Sequence, residues 1–541
     1  MIPYSGRAAL FFGICPEDIF ITHGKPSFAC TMANDAGCST IRDMVFNEKI
    51  SPEHPAIESP GYQSLTYHKL RHQVISMVRT LNARGYRRND RISVIMPASP
   101  EAAVMILSVM AGFTSIPLNP HAQRAEFGAW FSQIGIKAII VRRESKTAAV
   151  MAAGQNDVAV LELEPADGDA GNFGLKPEGG GSAGEAVFAE PSDTACVFLT
   201  SGTTARPKVI PVTQKQFILT RKNQCRIFGI TEDDRYLHTV PLYQSMGIGH
   251  FLNPLCCGGT VICPRDFIPS DFLPLLRTYR PTYYSAVPAL HQAILGRIRR
   301  IPADELKNHS LRFIRSGADT LPENVRRELE TLLGVPVIEN LGTSETAIIS
   351  VNLPPKPGSV GIPVIEHLEI IDENGTILGP GSEGEIIVKG ETVFTGYENA
   401  PEETRAAFIN GWYRTGDIGY LDPEGYLFLT GRKRELINKG GRKIAPAEID
   451  TVLLSHPGVR DAMTFKVSDP MLGEDIEAMV VLSDPVLTEH ALKHFLLDHL
   501  VNFKVPRRIH VVPAVPRNPA GKPLREAGTR RYGRQQGDGL V

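Results

Sequence analysis

Leu199-Thr200-Ser201-Gly202-Thr203-Thr204-Ala205-Arg206-Pro207-Lys208 places four hydroxyl residues, one glycine and two cations within ten positions. It follows the apolar run Cys196-Val197-Phe198-Leu199. Hydroxyls and the N–H groups of a tight turn donate to phosphate oxygens, Gly202 lets the backbone approach closely, and Arg206 and Lys208 neutralise charge. The composition suits a polyphosphate, although an ordinary Ser/Thr/Gly turn shares it. A Walker loop is excluded, because there Gly-Lys-Ser/Thr opens a helix. Here Lys208 leads into Val209-Ile210-Pro211-Val212, whose branched residues read as a second strand. The loop is expected to be a flap between two strands.

Upstream, Thr66 caps a helix whose stripe is Leu70, Val74, Met77, Val78 and Leu81. Strand Arg91 to Met96 follows, then Ser99 and Pro100 open a helix carrying Val104, Ile106, Leu107 and Met110. Strands are expected at Ile116-Pro117-Leu118 and at Ala138 to Val141. This order of strand, helix and strand indicates a parallel sheet with helices on its faces. Residues 1–38 lack periodicity and read as an N-terminal extension. Residues 164–190, rich in glycine and acids, read as a flexible linker between two doubly wound α/β halves.

Downstream, polar residues gather at strand ends, where open α/β sheets bind ligands. Strand Tyr236 to Val240 delivers Pro241-Leu242-Tyr243-Gln244-Ser245-Met246-Gly247, and Leu311 to Arg315 delivers Ser316-Gly317-Ala318-Asp319. Strand Val335 to Ile338 ends at Glu339-Asn340-Leu341-Gly342-Thr343-Ser344-Glu345-Thr346. Ser344 can donate to a phosphate, and Glu345 offers Mg²⁺ a hard oxygen. From Gly358, short alternating strands and turns such as Glu373-Asn374-Gly375 indicate a small β-barrel. It ends in Gly411-Trp412-Tyr413-Arg414-Thr415-Gly416-Asp417, where a turn-held aspartate can accept both hydroxyls of a ribose; an Asx turn alone is the plainer reading. Beyond it the strands and helices indicate a compact α+β unit.

With 541 residues the chain is long enough for several domains, and its net charge of −2 creates no field favouring nucleic acid or an anionic membrane. The eight cysteines show no CxxC pair and no regular framework, so they are expected to be reduced. No apolar run reaches the 18 residues of a membrane helix. The cytoplasm is the expected compartment. His238 and His250 read as structural.

In order and spacing, these motifs resemble those of the adenylate-forming (AMP-binding) superfamily, acyl-CoA synthetase type. Ser201-Gly202-Thr203-Thr204 with Pro207-Lys208 resembles its phosphate loop, with Ala205 and Val209 where glycine is usual, changes that stiffen the flap. Pro241 to Gly247 resembles its substrate motif, with Gln244 at the usual histidine. Gly317-Ala318 is similar to the segment beside adenine. Gly342-Thr343-Ser344-Glu345 resembles its Gly-x-Thr-Glu motif, with Leu341 replacing a tyrosine that would stack on adenine. Gly431-Arg432-Lys433-Arg434-Glu435 resembles its hinge, and Asn518 to Arg525 its Gly-Lys catalytic loop.

The resemblance implies a large domain over 39–431 and a mobile C-terminal lid over 432–541. It also implies ATP, Mg²⁺ and coenzyme A, with a carboxylic acid as substrate. Lys522, Lys208 and Glu345 become the catalytic candidates, with Glu345 as the metal ligand. Thr200, Ser201, Gly202, Thr203, Thr204, Gly317, Ala318, Asn340, Ser344, Asp417 and Arg432 become nucleotide contacts. Tyr243, Gln244, Ser245 and Gly342 would face the acid, Arg434 would be the pivot, and Gly440-Gly441 would line a narrow pantetheine tunnel. Two alternatives stay open: loading of a carrier protein instead of CoA, and a catalytically weakened nucleotide binder.

Overall fold

The computed structural model describes residues 19–22, 25–28, 37–176, 184–199, 207–518 and 521–533. They form a large mixed α/β N-terminal domain and a small C-terminal one. Within the expected N-terminal extension, strands Ile19–Thr22 and Lys25–Phe28 pair antiparallel.

The first sheet runs, in spatial order, through Val209–Thr213, Thr194–Leu199, Thr114–Ser115, Arg91–Val94, Ala138–Arg142, Ala159–Pro165 and Phe173–Leu175. Its interior pairs are parallel and both edges antiparallel. The strand expected at Ile116–Leu118 lies two residues earlier. Ile116 N still donates to Ile92 O at 3.1 Å, and pairing stops at Pro117, which has no N–H.

The flexible linker expected over 164–190 is corrected for its first part. Phe173–Leu175 pairs with Ala159–Pro165, Phe173 and Ala170 are buried, and Lys69 binds Asp169 at 2.8 Å. One aromatic side chain anchors an otherwise glycine-rich stretch. Residues 177–183 lie outside the described residues.

The second sheet is parallel through Pro55–Glu58, Thr260–Ile262, Arg235–Leu237, Tyr283–Ala286, Phe313–Ser316 and Val337–Thr343. Alternation sorts its side chains. Tyr236, Tyr283, Phe313 and Ile338 enter the main core, shared with helix Pro100–Gly112, while Leu237, Tyr284, Ile314 and Val337 enter a second core on the other face. Helix Pro100–Gly112 is buried at every residue, as befits one almost wholly apolar, its one acid, Glu101, being paired with Arg265.

The small barrel expected from Gly358 is a five-stranded antiparallel sheet, ordered His367–Ile371, Gly384–Lys389, Trp412–Leu421, Phe408–Ile409, with Leu427–Arg432 also on Trp412–Leu421. No pairing among the described residues closes it, and the ten-residue strand Trp412–Leu421 takes three partners. The C-terminal domain is a further five-stranded sheet with helices Pro446–Ser455, Glu489–His499 and Arg525–Tyr532, and its own core around Ile444, Ile449, Ile476 and Leu492.

Candidate active site

Leu199 and Val209 are paired across antiparallel neighbours. Thr200, Ser201, Gly202, Thr203 and Thr204 lie outside the described residues. Lys208 Nζ stands 4.3 Å from the centroid of the Tyr397 ring. The Tyr397 hydroxyl donates to Glu345 Oε1 at 3.1 Å. One phenol thus joins the loop cation to the carboxylate. Burial, and next the Glu345 charge, hold the Tyr397 pKa above its ordinary value, so it remains a donor. Tyr397 escaped the sequence reading, because a lone tyrosine outside helix and strand carries no periodicity.

Strand Val337–Thr343 runs farther than expected and turns back as Ala347–Val351, with Ser344, Glu345 and Thr346 at the tip. Gly342 is required there, since a Cβ would lie 2.2 Å from Ala347 O. Gln244 precedes helix Ser245–Cys257, and Ser245 Oγ lies 3.2 Å from Ser344 Oγ. Tyr243 is half-buried beside them. Gly317, just past strand Phe313–Ser316, ties the same two segments together. A Cβ on it would stand 3.6 Å from both Met246 Sδ and Asn340 Nδ2. Ala318 follows in the left-handed region at φ +73°, unusual for a residue with a Cβ. Asn340 Oδ1 is buried with no hydrogen-bond partner among the described residues.

Asp417 faces Arg432 across antiparallel strands, and Arg432 Nε donates to Asp417 Oδ1 at 3.0 Å. Asp417 Oδ2 is buried and unpartnered among the described residues. Burial raises the Asp417 pKa above its ordinary value, with Arg432 and then Lys522 opposing. Lys522 sits on a turn in which its N–H donates to Asn518 Oδ1 at 2.9 Å. Next to it, Gly521 at φ +82° brings the C-terminal domain against the N-terminal one, where a Cβ would lie 3.9 Å from Val287. Burial lowers the Lys522 pKa, as do Arg432 and Arg434, while Asp319 and Asp417 oppose. Asp319, an oddity in the sequence, therefore joins Asp417, Arg432, Arg434 and Lys522 in one cluster.

Arg525, in the same motif but with no role read for it, is a clamp. It binds Glu435 at 2.9 Å, Asp450 at 2.7 Å and Thr464 O at 2.6 Å. Gly440 and Gly441, at φ +57° and +84°, form the tight turn between Ile437–Lys439 and Arg442–Ile444, away from Lys522. His238 is buried among rings, and burial lowers its pKa to about 4, leaving it neutral. Among the described residues no group of three or more His, Cys, Asp or Glu side chains stands ready to hold a metal ion. Glu345 offers one carboxylate, which suits Mg²⁺ only when phosphate oxygens complete the shell.

Comparison with known proteins gives this geometry a context. A family model described as AMP-binding enzyme matches residues 47–398, and one described as AMP-binding enzyme C-terminal domain matches 448–522. The chain is 35% identical to an oxalate–CoA ligase of Arabidopsis thaliana, covering 87% of this chain and 94% of the relative. It is 33% identical to a sulfoacetate–CoA ligase of Cupriavidus necator, covering 87% and 93%. Among solved structures, ATP-bound MatB from Rhodopseudomonas palustris superposes with a TM-score of 0.81 at 26% identity, covering 92% of this chain and 99% of that one. The o-succinylbenzoate CoA synthetase of Bacillus subtilis, in complex with its acyl-adenylate intermediate, gives 0.77 at 27% identity, covering 90% and 97%.

Proposed function

The chain belongs to the AMP-binding enzyme family, and from that premise we propose that it is an acid–thiol ligase that activates a small carboxylic acid with ATP and passes the acyl group to CoA. The observation that carries the reading is the seating of Lys522 beside Asp417 and Arg432, with its loop against Val287. In that arrangement the acid's carboxylate oxygen attacks the α-phosphorus, the bond to pyrophosphate breaks, and acyl-adenylate forms. Lys522 holds positive charge where carboxylate and α-phosphate meet. Asp417 accepts the ribose hydroxyls, its Oδ1 fixed by Arg432 and its Oδ2 left without a partner among the described residues. Lys208 and the hydroxyls of the 200–204 loop draw the departing phosphates, and Ser344 and Asn340 donate to the nucleotide end.

Glu345, oriented by Tyr397, would hold Mg²⁺, which supplies charge neutralisation to the phosphates. Gln244, Ser245, Tyr243 and Gly342 bound the acid, and Gly317-Ala318 lie along adenine. The second half-reaction follows rotation of residues 432–541 about Arg434, the CoA thiol displacing AMP past Gly440-Gly441. We place the enzyme in the cytoplasm, where its cysteines stay reduced; none of those described forms a disulfide. No helix among the described residues is long and apolar enough to cross a membrane. The acids in the relatives' names, oxalate, sulfoacetate and 2-succinylbenzoate, each bear two acidic groups.

ATP–pyrophosphate exchange over a panel of acids, followed by assay of the CoA thioester, tests the reading. Acid-dependent exchange and thioester formation are expected. Absence of exchange with every acid would favour a nucleotide-binding homologue, and transfer to a carrier protein in preference to CoA would change the acceptor.

A further inference from the structure

Helix Glu489–His499 of the C-terminal domain is anchored through Leu492 and Leu496, both 0% exposed in the core around Ile444 and Ile449. Its other face is turned to solvent and carries His490 and His494, one turn apart. Their ring centroids are 4.4 Å apart, and Nε2 of one lies 3.2 Å from Nε2 of the other. A hydrogen bond between the rings is the plain account of that distance. It is also close to the separation of about 3.3 Å that two nitrogens take on one tetrahedral ion with bonds of about 2.0 Å. The two rings thus stand at the bite of a chelate.

The charges around the pair do not oppose a cation. Lys493, the basic residue between the two in sequence, is drawn away, its Nζ binding Glu489 at 2.9 Å and donating to Arg507 O. Asp498, exposed one turn beyond His494, adds negative charge to the same stripe. No third protein ligand joins the rings, since no group of three such side chains is assembled among the described residues. Water has to complete the shell. Imidazole suits zinc, nickel and copper, whereas Mg²⁺ takes oxygen ligands, so an ion here differs in kind from the one Glu345 would hold.

We propose that His490 and His494 chelate a divalent transition-metal ion of the zinc and nickel class through both Nε2 atoms, with water filling the remaining positions. Each ring then keeps its proton on Nδ1, and one ring-to-ring hydrogen bond is exchanged for two metal bonds. Half the ligands of a four-ligand structural zinc site provide about half its binding free energy, which corresponds to a dissociation constant on the order of 10 µM. The helix N-terminus, close to His490, disfavours a cation and keeps the affinity from being tighter. The ion staples the first two turns of the helix. This site and the ligase reading do not depend on one another.

The test is calorimetric titration of the full chain, stripped of metal with EDTA, using ZnCl₂ and then NiCl₂. His490→Asn and His494→Asn should each weaken one equivalent of binding by about 100-fold, and MgCl₂ in large excess should not displace the ion. His68 and His72 form another pair one turn apart, with ring centroids at 4.6 Å, and the described cysteines also offer thiols. His68→Asn is therefore the control, and it should retain the equivalent lost in the other two variants. A second measurement on the unmodified chain resolves the site directly: zinc should protect His490 and His494 from modification by diethyl pyrocarbonate, read by peptide mass spectrometry, with the midpoint of the titration. Equal affinity and stoichiometry in the unmodified chain and both helix variants would overturn the proposal, as would displacement by Mg²⁺. Absence of protection at His490 and His494 up to about 1 mM zinc would also overturn it and leave the pair a hydrogen bond between rings.

Discussion

Lys522 is a cation made harder to keep charged, because burial and the neighbouring Arg432 and Arg434 lower its pKa from the ordinary 10.5. A lysine with a lowered pKa loses its proton at a lower pH than an exposed one. Adenylation, which uses the ammonium, should therefore fall as pH rises through that lowered value, and in Lys522→Arg the alkaline limb should shift upward. A pH profile of pyrophosphate exchange checks this, and an unmoved limb would assign it to another group. Lys522→Ala should cost exchange about 100- to 1,000-fold while sparing thiol transfer from preformed acyl-adenylate. Equal loss of both half-reactions would remove Lys522 from its assigned role. At Leu341 an aliphatic side chain stands where the resemblance places an aromatic one. Leu341→Tyr should tighten ATP binding by about threefold to tenfold by restoring a stacking face; calorimetric titration with unchanged or weaker affinity would count against that account. Asp417 and Lys522 each lie in a run with strong local chemistry, which singles them out in sequence, and the structure brings the two into one cluster. Tyr397 was not singled out, because its meaning comes from Lys208 and Glu345, which are remote in the chain.

The same division holds for elements. Helices with an apolar stripe and a capping threonine or serine were legible, and Thr66 and Ser99 do cap Tyr67–Ala83 and Pro100–Gly112. Strands held by pairing with distant segments were not. Phe173–Leu175 is three residues whose strand character comes from Ala159–Pro165 alone, and the supposed barrel stays an open sheet because closure depends on strand partners that local sequence does not specify. Strand Val337–Thr343 carries a measurable consequence of such packing. Burial raises the Glu339 pKa from 4.5 to about 7, against the Leu321 N–H that donates to it at 3.3 Å. A carboxyl with a raised folded-state pKa contributes its stability at low pH, and the contribution is lost as pH rises from about 4.5 through 7. Glu339→Gln should thus leave thermal stability unchanged near pH 4 and raise it by about 1 kcal/mol at pH 8. Melting temperatures at the two pH values decide, and an equal shift at both would mean the carboxyl does not titrate as inferred.

At the scale of the whole molecule, the C-terminal domain holds its two functional segments far apart. Arg517 ties the Lys522 loop to Asp461, at 2.6 Å from Oδ1, and Gly440 N donates to Leu472 O at 2.9 Å. Asp461 lies near one end of strand Val459–Asp469 and Leu472 in the turn just past the other, with about 26 Å of strand between Asp461 and Asp469. If both segments serve one reacting centre, as the proposed function has it, a single placement of the domain does not bring both there, and the proposal is that the domain turns between half-reactions. The connection available is 432–435. Arg432 ends its strand against Asp417, and Glu435 is held by Arg525, which leaves Arg434 between two fixed points. No backbone hydrogen bond from Arg434 N occurs among the described residues. Proline there forfeits no such bond in the described placement, yet it fixes φ near about −65° and resists the change of backbone angle that rotation needs. Arg434→Pro should keep pyrophosphate exchange within a few-fold and slow single-turnover thiol transfer from preformed adenylate about 10-fold or more. Arg434→Ala, which removes the side chain but not the backbone freedom, should retain transfer. Transfer by the proline variant at the unmodified rate would place the pivot elsewhere, and equal loss in both variants would assign the effect to the guanidinium.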